Sequence, residues 1–296
     1  MGKSGATVAA EPLRWGTERR LEFVEFRLYW DGRVNRADLT REFGISVPQA
    51  SLDLSRYQQL APSNMTYDKS AKTYLASPDF RPLFFSPDAD AYLNSLRSIS
   101  DKVLSPDQTW LSRIPEFAAL PVPSRSTNAA HLRTILAGIQ NKTALHIRYQ
   151  SMSRPNPTWR WISAHALGFD GFRWHARAFC HLDRSYKDFL LPRIFDVGDA
   201  GPSEGSATAD RVWNAIVILR IAPHPGLTPA QRRAVELDYG MRRGILELEV
   251  RAALTYYARK RLGLDRRADT LRPHDQQIVL VNVDEVEAVL QELGTS

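Results

Sequence analysis

Residues 35–60 read NRADLTREFGISVPQASLDLSRYQQL, and the placing of small polar residues in this stretch decides what the N-terminal part of the chain is. Asn35 has the side chain of a helix N-cap, and RADLTREF behind it makes a short helix with Ala37, Leu39 and Phe43 inward. Gly44 supplies a tight turn, Ser46 caps again, and Pro48 sits in a first helical turn, where its missing N–H costs nothing. A further helix then runs to about Leu60, with Val47, Ala50, Leu54 and Tyr57 spaced as a buried stripe. Its other side carries Pro48, Gln49, Ser51, Leu52, Ser55, Arg56 and Gln59, which are mostly compact, hydrogen-bonding or methyl-bearing. Such a face suits base edges and phosphates in a major groove.

Working outward, TERRLEFVEFRLYW at 17–30 puts Leu21, Val24 and Leu28, flanked by Phe23 and Phe26, on the apolar face of a preceding helix. On the other side, strand-like pieces around Met65–Tyr67 and Thr73–Leu75 flank a polar turn with Asp68, Lys69, Ser70 and Lys72. Helix, short helix, glycine turn, polar helix and hairpin together spell a winged helix-turn-helix over 1–80. Taken alone, the third helix could be scaffold with a solvated face; the turn and the wing favour DNA recognition. Within that reading Gln49, Ser51 and Arg56 contact bases or phosphates, and Ser46, Pro48 and Ser55 share their face. Arg36, Lys69 and Lys72 reach the backbone.

A length of 296 residues exceeds what one hydrophobic core usually organises, so two or three domains are expected. Residues 81–142 read as a connector: a capped helix at SPDADAYLNSLRSIS, the extended, proline-rich IPEFAALPVPSRS, and an amphipathic helix at TNAAHLRTILAGIQN. From Thr143 the apolar period becomes two, giving four strands, ALHIRYQSM, WRWISAHALGFD, FRWHARAFC and YKDFLLPRIFDV, in a small antiparallel domain over 143–198. Residues 210–296 alternate strands and helices as a compact α+β domain. The whole is an α+β multidomain chain.

The net charge of +6 is unevenly spread: residues 1–80 carry +1, 81–124 carry −1, 125–195 carry +8 and 196–296 carry −2. A cationic surface or pocket in the middle domain is therefore expected. Along FRWHARAF, Arg173, His175 and Arg177 share one face of the strand and Phe172, Trp174, Ala176 and Ala178 the other, so a basic row faces away from an apolar one. Tyr149, Ser151, Arg160, His165 and Arg193 could complete an anion site, with stacking and charge-assisted hydrogen bonds for a nucleotide or short single-stranded nucleic acid. A solvated basic surface is the alternative, and Tyr149 or His165 could equally be a satisfied core residue.

Enzyme chemistry has little support. Cys180 lies near His175 and His181, but sequence neighbours on a strand alternate faces and no orienting Asn or Asp is identifiable. The chain has no P-loop, GxGxxG or HExxH, and no spaced Cys/His/Asp cluster beyond the remote combination of His165, His175 and His181. Neither a cofactor nor a metal is expected. As the single cysteine, Cys180 excludes a disulfide framework within the chain and reads as a buried, inert thiol. No apolar run reaches the roughly 20 residues that span a bilayer, and residues 1–15 read as a loose tail of a cytoplasmic protein with no membrane partner.

At these residues a family becomes visible. IRYQS at 147–151, FRWHARAFC at 172–180 and PRIFDV at 192–197 resemble the I-x-Y, Trp-Tyr-Leu and R-x-F-R-x-x-R-I elements of WYL domains, whose small sheet is an Sm-like barrel. The signature triplet departs, being Trp174-His175-Ala176, which bears on the ligand more than on the fold. Residues 20–80 resemble the winged-helix WYL regulators associated with bacterial BREX and CBASS phage-defence operons. The resemblance implies a homodimer that binds an inverted repeat in double-stranded DNA and represses defence genes, with a ligand-sensing WYL domain. An activator, or a nucleic-acid-binding module without ligand control, keeps the same fold. Either the connector helices or the C-terminal domain could supply the dimer surface.

Overall fold

The computed structural model describes residues 15–121, 123, 125–266 and 272–294. The tail expected over residues 1–15 lies, apart from Trp15, outside the described residues. The chain divides into two compact units at residue 123.

In the first unit α1 (Trp15–Asp31), β1 (Arg33–Val34), α2 (Arg36–Phe43) and α3 (Val47–Leu60) are followed by the hairpin β2 (Met65–Asp68) and β3 (Thr73–Ala76), then α4 (Ala89–Ser100). The punctuation expected from residues 35–60 is present in detail. Asn35 and Asp38 form a reciprocal capping box, Gly44 ends α2 with φ 63°, and the Ser46 hydroxyl accepts the Gln49 N–H at 3.3 Å. Leu21, Phe23, Val24, Leu28, Leu39, Ala50, Leu54 and Tyr57 form one core. Two expectations fail at element starts: Ala37 is exposed, and Val47 keeps 55% of its surface because the inward stripe of α3 begins one turn later, at Ala50. The two-residue β1, too short to show a period, adds a third strand to the wing in the order β1-β3-β2.

The segment after the wing is fastened from within. Glu25, fully buried on α1, accepts the Tyr57 hydroxyl at 2.9 Å and the backbone N–H groups of Leu83, Phe84 and Phe85 at 2.6 to 2.9 Å. Trp110 packs edge-on against Phe23 and Phe26, returning part of the expected connector to the first core.

The second unit opens with α5 (Ala129–Asn141), whose Ile135 enters the core of a five-stranded antiparallel sheet: β4 (Thr143–Tyr149), β5 (Thr158–Phe169), β6 (Trp174–Cys180), β7 (Ser185–Leu190) and β8 (Ile194–Pro202). The last expected strand is two, split at Leu191–Arg193 by a single tight turn containing Pro192. Strand order is β7-β6-β5-β4-β8, so this three-residue link joins the two edges of the sheet. A flat five-stranded sheet is about 19 Å across, further than so short a link reaches, so the sheet must roll up as a barrel. Its interior holds Leu145, Ile147, Ile162, Ala176, Ala178, Cys180 and Phe189.

Beyond the barrel lie the short α6 (Arg211–Asn214), β9 (Ile216–Pro223), α7 (Pro229–Asp238), β10 (Leu246–Arg251), α8 (Ala252–Arg261), β11 (Ile278–Leu280) and α9 (Val283–Glu292). Strand β9 is central in the antiparallel order β10-β9-β11, and Val217, Leu219, Ile221, Val235 and Val286 make the third core. Among the described residues no helix is long and apolar enough to cross a membrane.

Candidate nucleic-acid and effector sites

The N-terminal unit presents α3 outward. Arg36, Ser46, Pro48, Ser55 and Arg56 are exposed, and Gln49 and Ser51 half-buried. Two of these hydroxyls are tied to the backbone of their own helix: Ser46 is the cap, and the Ser51 hydroxyl donates to the Val47 carbonyl at 2.9 Å. Gln49 donates through Nε2 to Asp53 at 3.1 Å, and Asp53, buried, is gripped by Arg20 at 2.6 Å. The Gln49 carbonyl oxygen is thereby aimed by a fixed partner. Among the described residues Arg56 has no ion-pair partner, which leaves its charge available to a phosphate or base. Val47 and Leu52, 55% and 62% exposed, add apolar contacts of the kind that suit thymine methyl groups. Val47 was expected inside and instead joins this outward face, which sequence reasoning missed. Lys69 and Lys72 are exposed in the wing turn, which Asp68 ties by accepting the N–H groups of Ser70 and Ala71.

The eight residues expected to form one anion site are distributed over three positions on the barrel. Tyr149, Ser151, Arg160 and Arg193 share one end, where β4 leaves the sheet and the Leu191–Arg193 turn closes it. The Tyr149 ring is in the core, its oxygen accepting the Leu190 N–H at 3.2 Å, with Arg160 5.7 Å over the ring. The Ser151 hydroxyl lies 2.7 Å from that of Ser153, and the Arg193 carbonyl accepts the Gln150 N–H at 3.1 Å. Arg160 is buried; it donates to Thr158 at 2.5 Å and stands 3.7 Å from Asp183, yet its Nε has no partner. A buried guanidinium N–H without an acceptor is costly, and an incoming anion would satisfy it.

His165 and Arg177 lie at mid-barrel on Asp210. Arg177 donates to it through Nε at 2.7 Å and Nη2 at 3.0 Å, and His165 Nε2 stands 3.0 Å from it. Burial alone would raise the Asp210 carboxyl, but His165, Arg177 and the Trp213 N–H outweigh it and hold the group well below the usual carboxylate range. Asp188, also beside Arg177, is pushed up by burial in spite of the cations near it. Arg173 and His175 lie at the turn between β5 and β6, both on Asp170, at 2.7 and 3.0 Å. Burial works against that carboxylate too, but these partners and two backbone N–H groups bring it down to about 2.

The expectation of a solvent-facing basic row is therefore corrected. Residues 173, 175 and 177 do share a face, but His175 and Arg177 are buried, His175 against Asp170 and Arg177 against Asp188 and Asp210, and Tyr257 and Asp210 of the C-terminal region cover them. The side labelled apolar splits, with Ala176 and Ala178 in the core while Phe172 and Trp174 are exposed. A strand pattern reports which residues share a face and is silent on what covers it. Cys180 is buried in the barrel, its thiol directed at Asp183 at 3.3 Å. Among the described residues no group of three or more His, Cys, Asp and Glu could hold a metal ion.

Comparison with known proteins accords with this division of the chain. Residues 16–98 match the winged helix-turn-helix domain of the BrxR transcriptional regulator, 130–198 the WYL domain, and 216–286 the BrxR C-terminal dimerization domain. These spans take α4 with the winged helix and α5 with the barrel. The chain is 42% identical over 283 residues to the DNA-binding transcriptional repressor CapW of Stenotrophomonas maltophilia, covering 95% of this chain and 94% of that protein. It is 42% identical over 290 residues to CapW of Escherichia coli (strain KTE188), covering 98% and 97%. CapW of Pseudomonas aeruginosa is 41% identical over 278 residues, covering 94% and 93%. Proteasome accessory factor B/C of Arthrobacter aurescens, at 14% identity and a TM-score of 0.27, covers 99% of this chain, which spans half of that protein; the likeness is too weak to carry an argument. With winged helix, WYL barrel and dimerization domain in one polypeptide, and CapW proteins similar from end to end, this chain belongs to the CapW and BrxR family of winged-helix WYL transcriptional regulators.

Proposed function

We propose that two copies of this chain bind an inverted repeat upstream of a phage-defence operon and repress it, and that a nucleotide or short single-stranded nucleic acid releases them. The observation that carries the DNA-binding part is the outward side of α3, where Arg56, Pro48, Ser55 and Leu52 project from a helix whose inner side is locked in a core. The repressor reading draws on the CapW relatives, and the homodimer on the match to a dimerization domain. Each subunit would place one α3 in a major groove, with Lys69 and Lys72 of the wing on flanking phosphates.

For the effector, support comes from the barrel end at Tyr149, Ser151, Arg160 and Arg193, because Arg160 keeps a buried, unpartnered Nε there. An anion on that group would favour a dimer geometry in which the two α3 helices no longer fit both half-sites. Titrating operator-bound protein with short single-stranded DNA in a gel-shift assay tests this. Release is expected from the native chain and at least tenfold weaker release from Arg160→Ala. A complex indifferent to the strand would sink the sensing part, and equal affinity for the upstream region and a scrambled duplex would sink the operator part.

A further inference from the structure

The turn between β5 and β6 faces helix α8 across a groove of about 540 Å³, lined by Phe172 and Arg173 from the turn and by Tyr256, Tyr257, Lys260 and Arg261 from the helix. That volume is within the usual range for small-ligand pockets. The spacing on α8 matters: Tyr256 and Tyr257 lie one turn before Lys260 and Arg261, so two rings and two cations share one strip of helix surface.

The cations here differ from those on the barrel. Arg173 is held by Asp170, whose Oδ1 accepts the N–H groups of Phe172 and Arg173 at 2.8 and 2.6 Å while Oδ2 takes Arg173 Nε and His175. The one carboxylate lining the groove is thus committed to shaping the turn. Among the described residues neither Lys260 nor Arg261 has an ion-pair partner; Lys260 Nζ lies 5.8 Å from the Tyr256 ring centre. Gly171, with φ 85°, leaves room for Arg261: a Cβ there would fall 1.6 Å from its Nη1. The absence of a side chain lets the guanidinium lie directly on the turn. Adjacent unpaired cations beside three aromatic rings form a surface on which a phosphate gains charge-assisted hydrogen bonds and a base gains stacking partners.

We propose that this groove is a second ligand site, separate from the barrel end at Arg160, that takes a nucleoside 5′-phosphate, either free or at the end of a short strand. Lys260 and Arg261 hold the phosphate, and the rings of Phe172, Tyr256 and Tyr257 receive the base. The turn belongs to the WYL segment and α8 to the dimerization segment, so an occupant bridges the two. The assignment stands whether or not the Arg160 cluster takes an effector.

Calorimetric titration of the full chain with 5′-AMP, adenosine and inorganic phosphate tests it. Binding of 5′-AMP is expected to be at least about tenfold tighter than that of either fragment, and to weaken at least about tenfold in Lys260→Ala/Arg261→Ala. Both side chains are exposed, so the melting temperature should hold. Gly171→Ala, which keeps every charge but strains the turn at its positive φ and displaces Arg261, should weaken binding as well. The component of binding that Lys260→Ala/Arg261→Ala removes should persist in Arg160→Ala, whether or not the Arg160 cluster takes up a nucleotide of its own. A 5′-phosphorylated pentanucleotide that binds more tightly than 5′-AMP identifies a strand end as the source; equal affinity identifies the free nucleotide, and both support the site. No heat with 5′-AMP, affinity untouched by the double substitution, or loss in Arg160→Ala instead would each overturn it.

Discussion

Asp210 shows how much one carboxylate can organise. It is buried, chelates Arg177, meets His165 at 3.0 Å, and caps α6 by accepting the Trp213 N–H at 3.0 Å. Asp210→Asn leaves the Arg177 guanidinium buried and short of its counter-charge, so unfolding free energy in urea should fall by about 3–5 kcal/mol. The pH dependence has a definite sign. Asp210 and Asp170 are more acidic in the fold than in the open chain, so both stabilise above the ordinary aspartate range near 3.8. That contribution is lost as pH falls from about 4 through the folded value of Asp170, about 2. Urea midpoints measured from pH 6 to pH 2 should drop over this window, and less steeply in Asp210→Asn. Glu25 is comparable on the other unit: Glu25→Ala strips acceptors from three backbone N–H groups and Tyr57, and should cost about 3 kcal/mol or more. Tyr57→Phe should cost only about 1 to 2 kcal/mol, because the carboxylate keeps its other donors. None of this was legible in the sequence, where Glu25, Asp53 and Asp210 look like any solvated acid. Their burial is set by residues 33 to 60 positions away.

Helix α3 was legible almost to the residue, because caps, proline and glycine act locally and a 3.6-residue period survives in a linear string. Its prediction is local too. Arg56→Ala should weaken operator binding and lower the slope of log affinity against log salt by about 0.9 if the side chain meets one phosphate. Gel shifts at several salt concentrations measure both, and an unchanged slope with reduced affinity would move Arg56 from phosphate to base. Strand β6 was legible only in half. Its alternation put Ala176 and Ala178 opposite His175 and Arg177 correctly, but the polar row is inside, covered by Asp210 and Tyr257. Sequence reads a strand's two sides and leaves open which of them meets solvent.

At the scale of the molecule, the chain passes from one compact unit to the other at residue 123, and the described residues from 114 to 123 form no helix or strand. Arg113 and Arg125, both exposed, flank it. Brief trypsin treatment should cut there first, giving fragments that begin or end near these residues; cleavage starting inside the barrel would contradict the division. The N-terminal fragment, without the segment that matches a dimerization domain, should bind DNA at least about a hundredfold more weakly than the full chain, since the proposed dimer would lose one of its two linked half-site contacts. What the amino-acid string determined by itself was the winged helix, the α+β class and the order of domains, all of which rest on short-range periodicity and turn chemistry. Tertiary structure alone decided which charges are free. The +8 of residues 125–195 reads as one cationic surface until folding delivers Asp210 to Arg177 and His165 and turns Asp170 onto Arg173 and His175. Electrostatic compensation depends on distance in space: Asp170 meets Arg173 and His175 within its own turn, but Asp210 reaches Arg177 and His165 from the N-cap of α6, 33 and 45 residues further on, and a contact of that range has no local signature.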